Sequence, residues 1–254
     1  MQTPVVMVHG AFCGGWVFER FREPFEKAGH TVLTPDLPGH EARARQSVAN
    51  LTMIDYARAI VEVCKSCETP PVLVGHSMGG LVAQLAAART PVAGLVLLAP
   101  SPPWGVAGVS MEEAVSALSL YALGPYWMQA IDPDYALAKL YSLDRMERDE
   151  RAAVFKRMVP ESGRALWQTL NWWMDPFMAT LVPPAMIDAP VLAIAGGRDV
   201  IHPPATVKQT AARLSADFHV LRDMSHWLPG EPGWEAVARL CLDWAPVEKK
   251  KAAA

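Results

Sequence analysis

Cysteine is scarce in this 254-residue chain, and charge of neither sign prevails. Four cysteines, Cys13, Cys64, Cys67 and Cys241, are too few for the disulfide framework of a small secreted domain. Lys and Arg number 23 against 26 Asp and Glu, a net charge of −3, so there is no basic field to attract nucleic acid or an anionic membrane. No apolar run approaches the ~18 residues of a membrane span. The opening MQTPVVMVHGAF lacks the basic stretch, long apolar stretch and small-residue cleavage site of a secretory leader, so a cytoplasmic location is the default expectation. With 51% hydrophobic and 19% charged residues, the composition excludes a disordered chain.

The segment Cys64-Lys65-Ser66-Cys67 is formally C-x-x-C. A redox pair belongs at the start of a helix, where a thiolate is stabilised, whereas this one closes the helical stretch Ile54–Cys67. No second Cys or His pair completes a zinc site, and the four residues read as an ordinary helix end.

What the chain does have is a rhythm. Short apolar runs, most of them bounded by Gly, Pro or Asp, occur at Pro4–Val8, Thr31–Pro35, Pro71–Val74, Val92–Ala99, Pro190–Ala195 and Ala216–Leu221. They predict six strands buried on both faces. Helical patterns alternate with them at Trp16–Ala28, Thr52–Cys67, Met78–Ala88, Pro204–Leu214 and Trp234–Trp244, and Thr52 with Asp55 has capping-box spacing. Such alternation predicts a mainly parallel sheet flanked by helices. From about Pro102 to Asp188 no strand-like run appears. Helices are predicted there from the capping box Ser110-Met111-Glu112-Glu113 and over Asp134–Tyr141, Asp144–Met158 and Ser162–Met174. The predicted organisation is a core over 1–101 and 189–247, a helical cap over 102–188 between the fourth and fifth strands, and a disordered tail over 248–254.

The run PPVLVGHSMGG carries the chemistry. G-x-S-x-G between a buried strand and a helix is a nucleophile elbow: the turn forces Ser77 into a strained conformation that lifts Oγ clear of the sheet. A serine needs a base, and two residues near later strand ends supply an acid and a base in chain order: Asp199 in AGGRDVIHPP and His226 in RDMSHWLPG. Asp223 is the rival acid, but its place at the start of the histidine loop disfavours it. The loop His9-Gly10-Ala11-Phe12 follows the first strand, where the backbone N–H of Ala11 can join that of Met78 as a pair of oxyanion donors. His9 and His76 read as hydrogen-bonding scaffold, and His202 as a loop residue, with substrate contact its alternative role. The cap is rich in aromatics and methionine, which predicts an apolar pocket; Phe12, Trp104, Trp127, Trp172 and Trp227 are its expected substrate contacts.

From VMVHGAFCGGW through DLPGH and VGHSMGG to GGRD and SHW, the chain resembles α/β-hydrolase-fold serine hydrolases, most closely the small esterase, methylesterase and hydroxynitrile-lyase branch. That resemblance implies a triad of Ser77, Asp199 and His226, the Ala11 and Met78 oxyanion donors, and hydrolysis of a carboxylic ester, which needs neither metal nor organic cofactor; the apolar insertion points to a small to medium hydrophobic substrate. Glu41 departs from the glycine that many relatives carry after DLPGH. The same triad can serve lactone opening, amide or C–C bond hydrolysis, or acyl transfer, and a receptor that keeps the fold without turnover is the remote alternative. The sequence leaves monomer and homodimer open.

Overall fold

A computed structural model describes residues 2–41 and 48–244. The 248–254 tail lies outside the described residues. Among the described residues, six parallel strands form the main sheet: β1 (Val5–Val8), β2 (Val32–Leu33), β3 (Val72–His76), β4 (Gly94–Leu98), β7 (Val191–Gly196) and β8 (Asp217–Leu221), in the order β2-β1-β3-β4-β7-β8. The chain leaves β1 outward to β2, then returns to place β3 on the opposite side of β1. The topological switch point therefore lies between β1 and β3, where an open α/β sheet forms a crevice at its carboxyl edge.

The inner strands of the sheet are buried on both faces because their side chains alternate between two apolar layers; the edge strand β8 departs from the expected double burial, with Asp217, His219 and Val220 exposed. Val6, Val8 and Leu73 pack with α2 (Met53–Ser66), α3 (Met78–Ala87) and residues Val207 and Ala211 of α7 (Pro204–Arg213). Val5, Met7, Val72 and Val74 face the other way, onto Phe18, Phe21, Phe25 and the buried side of α8 (Trp234–Trp244). Period-two alternation with apolar residues on both faces explains why these runs read as continuously hydrophobic.

The capping box of α2 forms as the sequence predicts. Thr52 Oγ1 accepts from the Asp55 N–H at 3.1 Å, and an Asp55 carboxylate oxygen accepts from the Thr52 N–H at 2.9 Å. Thr52→Ala is expected to cost about 1 kcal/mol and lower Tm by roughly 2–4 °C. An unchanged Tm in thermal unfolding would show that the cap contributes nothing.

Three predicted elements differ. Trp16–Ala28 is not one helix: a 3-10 turn at Gly15–Phe18 is followed by α1 (Glu23–Lys27). Pro24 has no N–H to donate and is tolerated only in a first turn, so the helix restarts there. The segment between β4 and β7 does contain strands, the antiparallel pair β5 (Ala130–Ile131) and β6 (Glu161–Ser162), two residues each and too short to show periodicity. Its helices are α4 (Met111–Tyr121), α5 (Arg148–Arg157) and α6 (Gly163–Leu170). Asp134–Tyr141 forms a single α turn, Tyr135–Leu137, that passes into a π turn over Ala138–Ser142. The Glu113 side chain, half of the second predicted capping box, lies outside the described side chains.

This segment is tied to the body of the protein. Arg157 at the end of α5 makes a two-pronged contact with Glu19, at 2.7 and 2.5 Å, and lies 4.6 Å from the Trp16 ring. Gln168 on α6 accepts from the Met53 N–H at 3.0 Å.

Candidate active site

Ser77 stands between the last residue of β3 and the first of α3, with φ 54° and ψ −124°. This is a left-handed conformation that costs a non-glycine residue on the order of 1–3 kcal/mol. Its neighbours enforce it. A side chain on Gly75 would strike the Gly79 carbonyl, and one on Gly79 would strike the carbonyls of Val8 and His9. Strand, helix and the β1 loop thus converge too closely at this junction for a side chain at residue 75 or 79.

The side chains expected to cooperate meet here. His226 Nε2 lies 3.0 Å from Ser77 Oγ, and His226 Nδ1 lies 2.8 Å from Asp199 Oδ2. The carboxylate accepts from Nδ1–H, which leaves Nε2 to accept the serine proton. The other oxygen, Asp199 Oδ1, accepts from the N–H groups of Ile201 at 2.8 Å and His202 at 3.0 Å. Burial works against ionising Asp199, but the facing His226 imidazole, its hydrogen bond and the nearby His202 hold the carboxyl below the usual carboxylate range. The rival Asp223 is exposed and pairs instead with Arg198 at 3.0 Å.

Three buried histidines frame the row. His76 donates through Nε2 to the His226 carbonyl at 2.8 Å, and burial plus the nearby His226 hold its pKa down to about 3. His202 Nε2 lies 3.0 Å from Ser101 Oγ; burial and His226 push its pKa to about 4. His9 accepts from the Leu37 N–H at 2.9 Å through Nε2, so its Nδ1 carries the proton and donates to the Gly10 carbonyl at 2.9 Å. Burial and His40 lower its pKa to about 4. All three stay neutral at ordinary pH and act as fixed hydrogen-bonding struts. Glu231 adds a fourth support by accepting the Ser225 N–H, next to His226, at 2.6 Å.

Ser77 and His226 open into a cavity of about 840 Å³. Ala11 and Met78 both line it. Met78 is the first residue of α3, so its N–H has no acceptor within the helix. Gly10 passes so close to Ser77 that an added Cβ would sit 3.1 Å from the serine Cβ, which brings the β1 loop against the elbow. Of the five expected substrate contacts, Phe12 and Trp227 line the cavity and Trp104, Trp127 and Trp172 do not. Trp104 packs edge-on against Trp172 at 5.4 Å. Trp127 packs on Tyr126 at 5.7 Å, in the cluster behind the lining residues Ile131 and Leu166. The aromatic content of the segment builds its own packing, and aliphatic side chains such as Leu137, Leu166 and Leu170 supply much of the wall.

One residue near the β1 loop carries no recognisable motif, and its partner His40 closes the run DLPGH. Glu161, fully buried in β6, accepts from the Phe12 N–H at 3.2 Å, and His40 lies beside it with Nε2 3.0 Å away. The Cys64–Cys67 pair is unbonded, and burial pushes the Cys64 thiol up to about 12, the reverse of what a redox pair needs. Among the described residues, no group of three or more His, Cys, Asp or Glu is placed to hold a metal ion, and no helix is long and apolar enough to cross a membrane.

The sequence model described as the alpha/beta hydrolase family matches residues 5–240. The carbendazim hydrolyzing esterase of Nocardioides sp. (strain SG-4G) is 28% identical over 246 residues, 93% of this chain and 90% of that one. A pimeloyl-[acyl-carrier protein] methyl ester esterase of Neisseria meningitidis serogroup A is 29% identical over 251 residues, 94% of this chain and 76% of that one. Among solved structures, the methylesterase MES16 of Arabidopsis superposes with a TM-score of 0.72 at 18% identity, covering 95% of this chain and 98% of its own.

Proposed function

The chain belongs to the alpha/beta hydrolase family, and from that premise we propose that it hydrolyses carboxylic esters of small to medium hydrophobic substrates through an acyl-enzyme on Ser77. The observation that carries this reading is the hydrogen-bonded row Asp199–His226–Ser77 opening on a largely apolar cavity of about 840 Å³. In this reaction His226 Nε2 takes the Ser77 proton as Oγ attacks the ester carbonyl. The N–H groups of Ala11 and Met78 hold the resulting oxyanion. The imidazolium, steadied by Asp199, then protonates the departing alkoxide, and the alcohol leaves. Water repeats the sequence: His226 takes its proton, the hydroxide attacks the acyl carbon, and the serine oxygen recovers its proton as the acid is released. The esterase names of the relatives support this activity.

Residues 102–188 act as a cap that supplies much of the cavity wall and shields the acyl-enzyme from bulk water. The wall is largely apolar and contains the carboxylates Glu112 and Asp134, with no Lys or Arg among the described residues. A neutral ester therefore enters more readily than an anionic one. The four unpaired cysteines fit a reducing compartment such as the cytoplasm.

The test is a p-nitrophenyl ester series from acetate to decanoate, run with and without a serine-directed fluorophosphonate and alongside the half-ester of succinate. Turnover should rise with acyl length into the medium range, the succinate half-ester should be at least tenfold slower than the butyrate, and the fluorophosphonate should abolish both. Fluorophosphonate labelling without turnover of any ester would replace the enzyme with a receptor.

A further inference from the structure

Glu161 sits at the first position of β6 with no solvent exposure. Its Oε2 faces the Phe12 N–H at 3.2 Å and His40 Nε2 at 3.0 Å; its Oε1 accepts from the Tyr56 hydroxyl at 2.6 Å and the Ser162 N–H at 2.7 Å. Four groups converge on one side chain; the two backbone N–H groups can only donate, and with His40 and Tyr56 donating as well an ionised carboxylate satisfies all four. The partner charge follows from the surroundings of His40. Its Nδ1 faces the carbonyls of Leu37 and Pro38, both at 3.2 Å, and its Nε2 faces the Glu161 carboxyl, so in the charged pair both ring nitrogens have an acceptor to donate to. The directions agree. Burial opposes charge on both groups, but their mutual attraction and hydrogen bond raise the His40 pKa and lower that of Glu161.

What this buried ion pair holds is the backbone above Ser77. Phe12 has φ 64°, a strained conformation for a large residue that persists only when its surroundings over-determine it. Glu161 accepts its N–H, and the Val159 N–H donates to its carbonyl at 2.9 Å, so residues 159–161 grip both polar groups of Phe12. The preceding peptide is gripped as well. The Gly10 carbonyl, which shares a rigid plane with the Ala11 N–H, accepts from His9, and the His9 ring packs against His40 with centroids 5.0 Å apart. Both peptide planes that flank Ala11 are therefore fixed, one by Glu161 and one by His9.

We infer that Glu161, charged and paired with His40, is a positioning residue that locks the Ala11 N–H onto the oxyanion of the reaction proposed above, on which this inference rests. The donor is aimed before substrate arrives, and it is aimed from two sides, by Glu161 in the 102–188 segment and by His9 in the core. Removing an oxyanion donor outright costs about 10²–10³ in kcat; loosening one costs less.

Glu161→Gln places an amide NH₂ where every neighbour donates. His40 and Tyr56 can turn to accept, but the N–H groups of Phe12 and Ser162 cannot, so one of them loses its partner. The variant should lower kcat, counted per fluorophosphonate-titrated Ser77, by about 10–100-fold with KM within threefold. A trifluoromethyl ketone, which forms the oxyanion, should lose affinity by the same factor. Amide exchange at Ala11 and Phe12 should quicken at least tenfold. Val159→Pro removes only the other grip and keeps the test open should Glu161→Gln not fold; it should shift the same quantities in the same direction. Thr52→Ala is the matched control: it lowers Tm and leaves kcat and the exchange at Ala11 and Phe12 unchanged. The inference is overturned if the folded variants keep kcat and loop exchange within twofold of the parent, or if only KM rises. If the parent protein shows no Ser77-dependent ester turnover, the proposed function falls, and the exchange rates at Ala11 and Phe12 still decide whether Glu161 holds the loop.

Discussion

Replacing Ser77 with alanine is expected to lower kcat for any ester by about 10⁴–10⁶-fold and to leave the fold intact. The size follows from the loss of the covalent route: without Oγ the oxyanion donors and His226 have only water to work on, and residual rates in such sites come from binding and oxyanion stabilisation alone. Stability should change little. The Ser77 side chain makes no cap bond to α3, and alanine meets the same backbone strain at φ 54° as serine does. Steady-state kinetics with p-nitrophenyl butyrate and a thermal melt check both halves. Retention of even a hundredth of the parent kcat would remove Ser77 from the reaction.

The second large effect comes from Asp199→Asn, and the structure gives its cause. Asp199 Oδ1 accepts two backbone N–H groups, those of Ile201 and His202. An asparagine must keep its carbonyl oxygen on that side, so its NH₂ turns toward His226 Nδ1. That nitrogen can then only accept, the ring proton moves to Nε2, and Nε2 faces Ser77 as a donor that cannot take the hydroxyl proton. The loss should be about 10⁴-fold in kcat, with KM little changed. A variant within tenfold of the parent would mean that another acid orients His226. Asp223 is not a ready substitute, because it lies on the surface in contact with Arg198.

How much of this was legible in the sequence depended on how local the cause is. Ser77, Asp199 and His226 each follow a strand end, and the parallel sheet brings those ends to one edge, so short motifs were enough to bring all three together. Trp104, Trp127 and Trp172 were not assignable: composition reports that a segment is aromatic but not which way each ring turns, and these rings turn toward one another and toward Tyr126. Glu161 left no trace because its partners Phe12, His40 and Tyr56 lie 149, 121 and 105 positions away, with no spacing rule to link them. The restart of α1 at Pro24 was readable in principle, since proline marks a first turn.

The segment between β4 and β7 is joined to the rest of the protein by contacts of different strength. The Arg157–Glu19 pair is solvent-exposed, with side chains 45% and 60% accessible, so it contributes little and weakens with salt. The Glu161 ion pair is sealed from solvent and is not screened in this way. Added salt therefore loosens the outer edge of this segment before it disturbs the loop above Ser77.

The crowding at the elbow has a consequence for how this scaffold changes over time. Gly75 and Gly79 are closed to every side chain by backbone carbonyls, whereas position 77 projects into open space. A thiol or a carboxylate could replace the hydroxyl without disturbing the frame. New reactions are thus reachable by exchanging a single atom group at a socket whose surroundings are barred from varying.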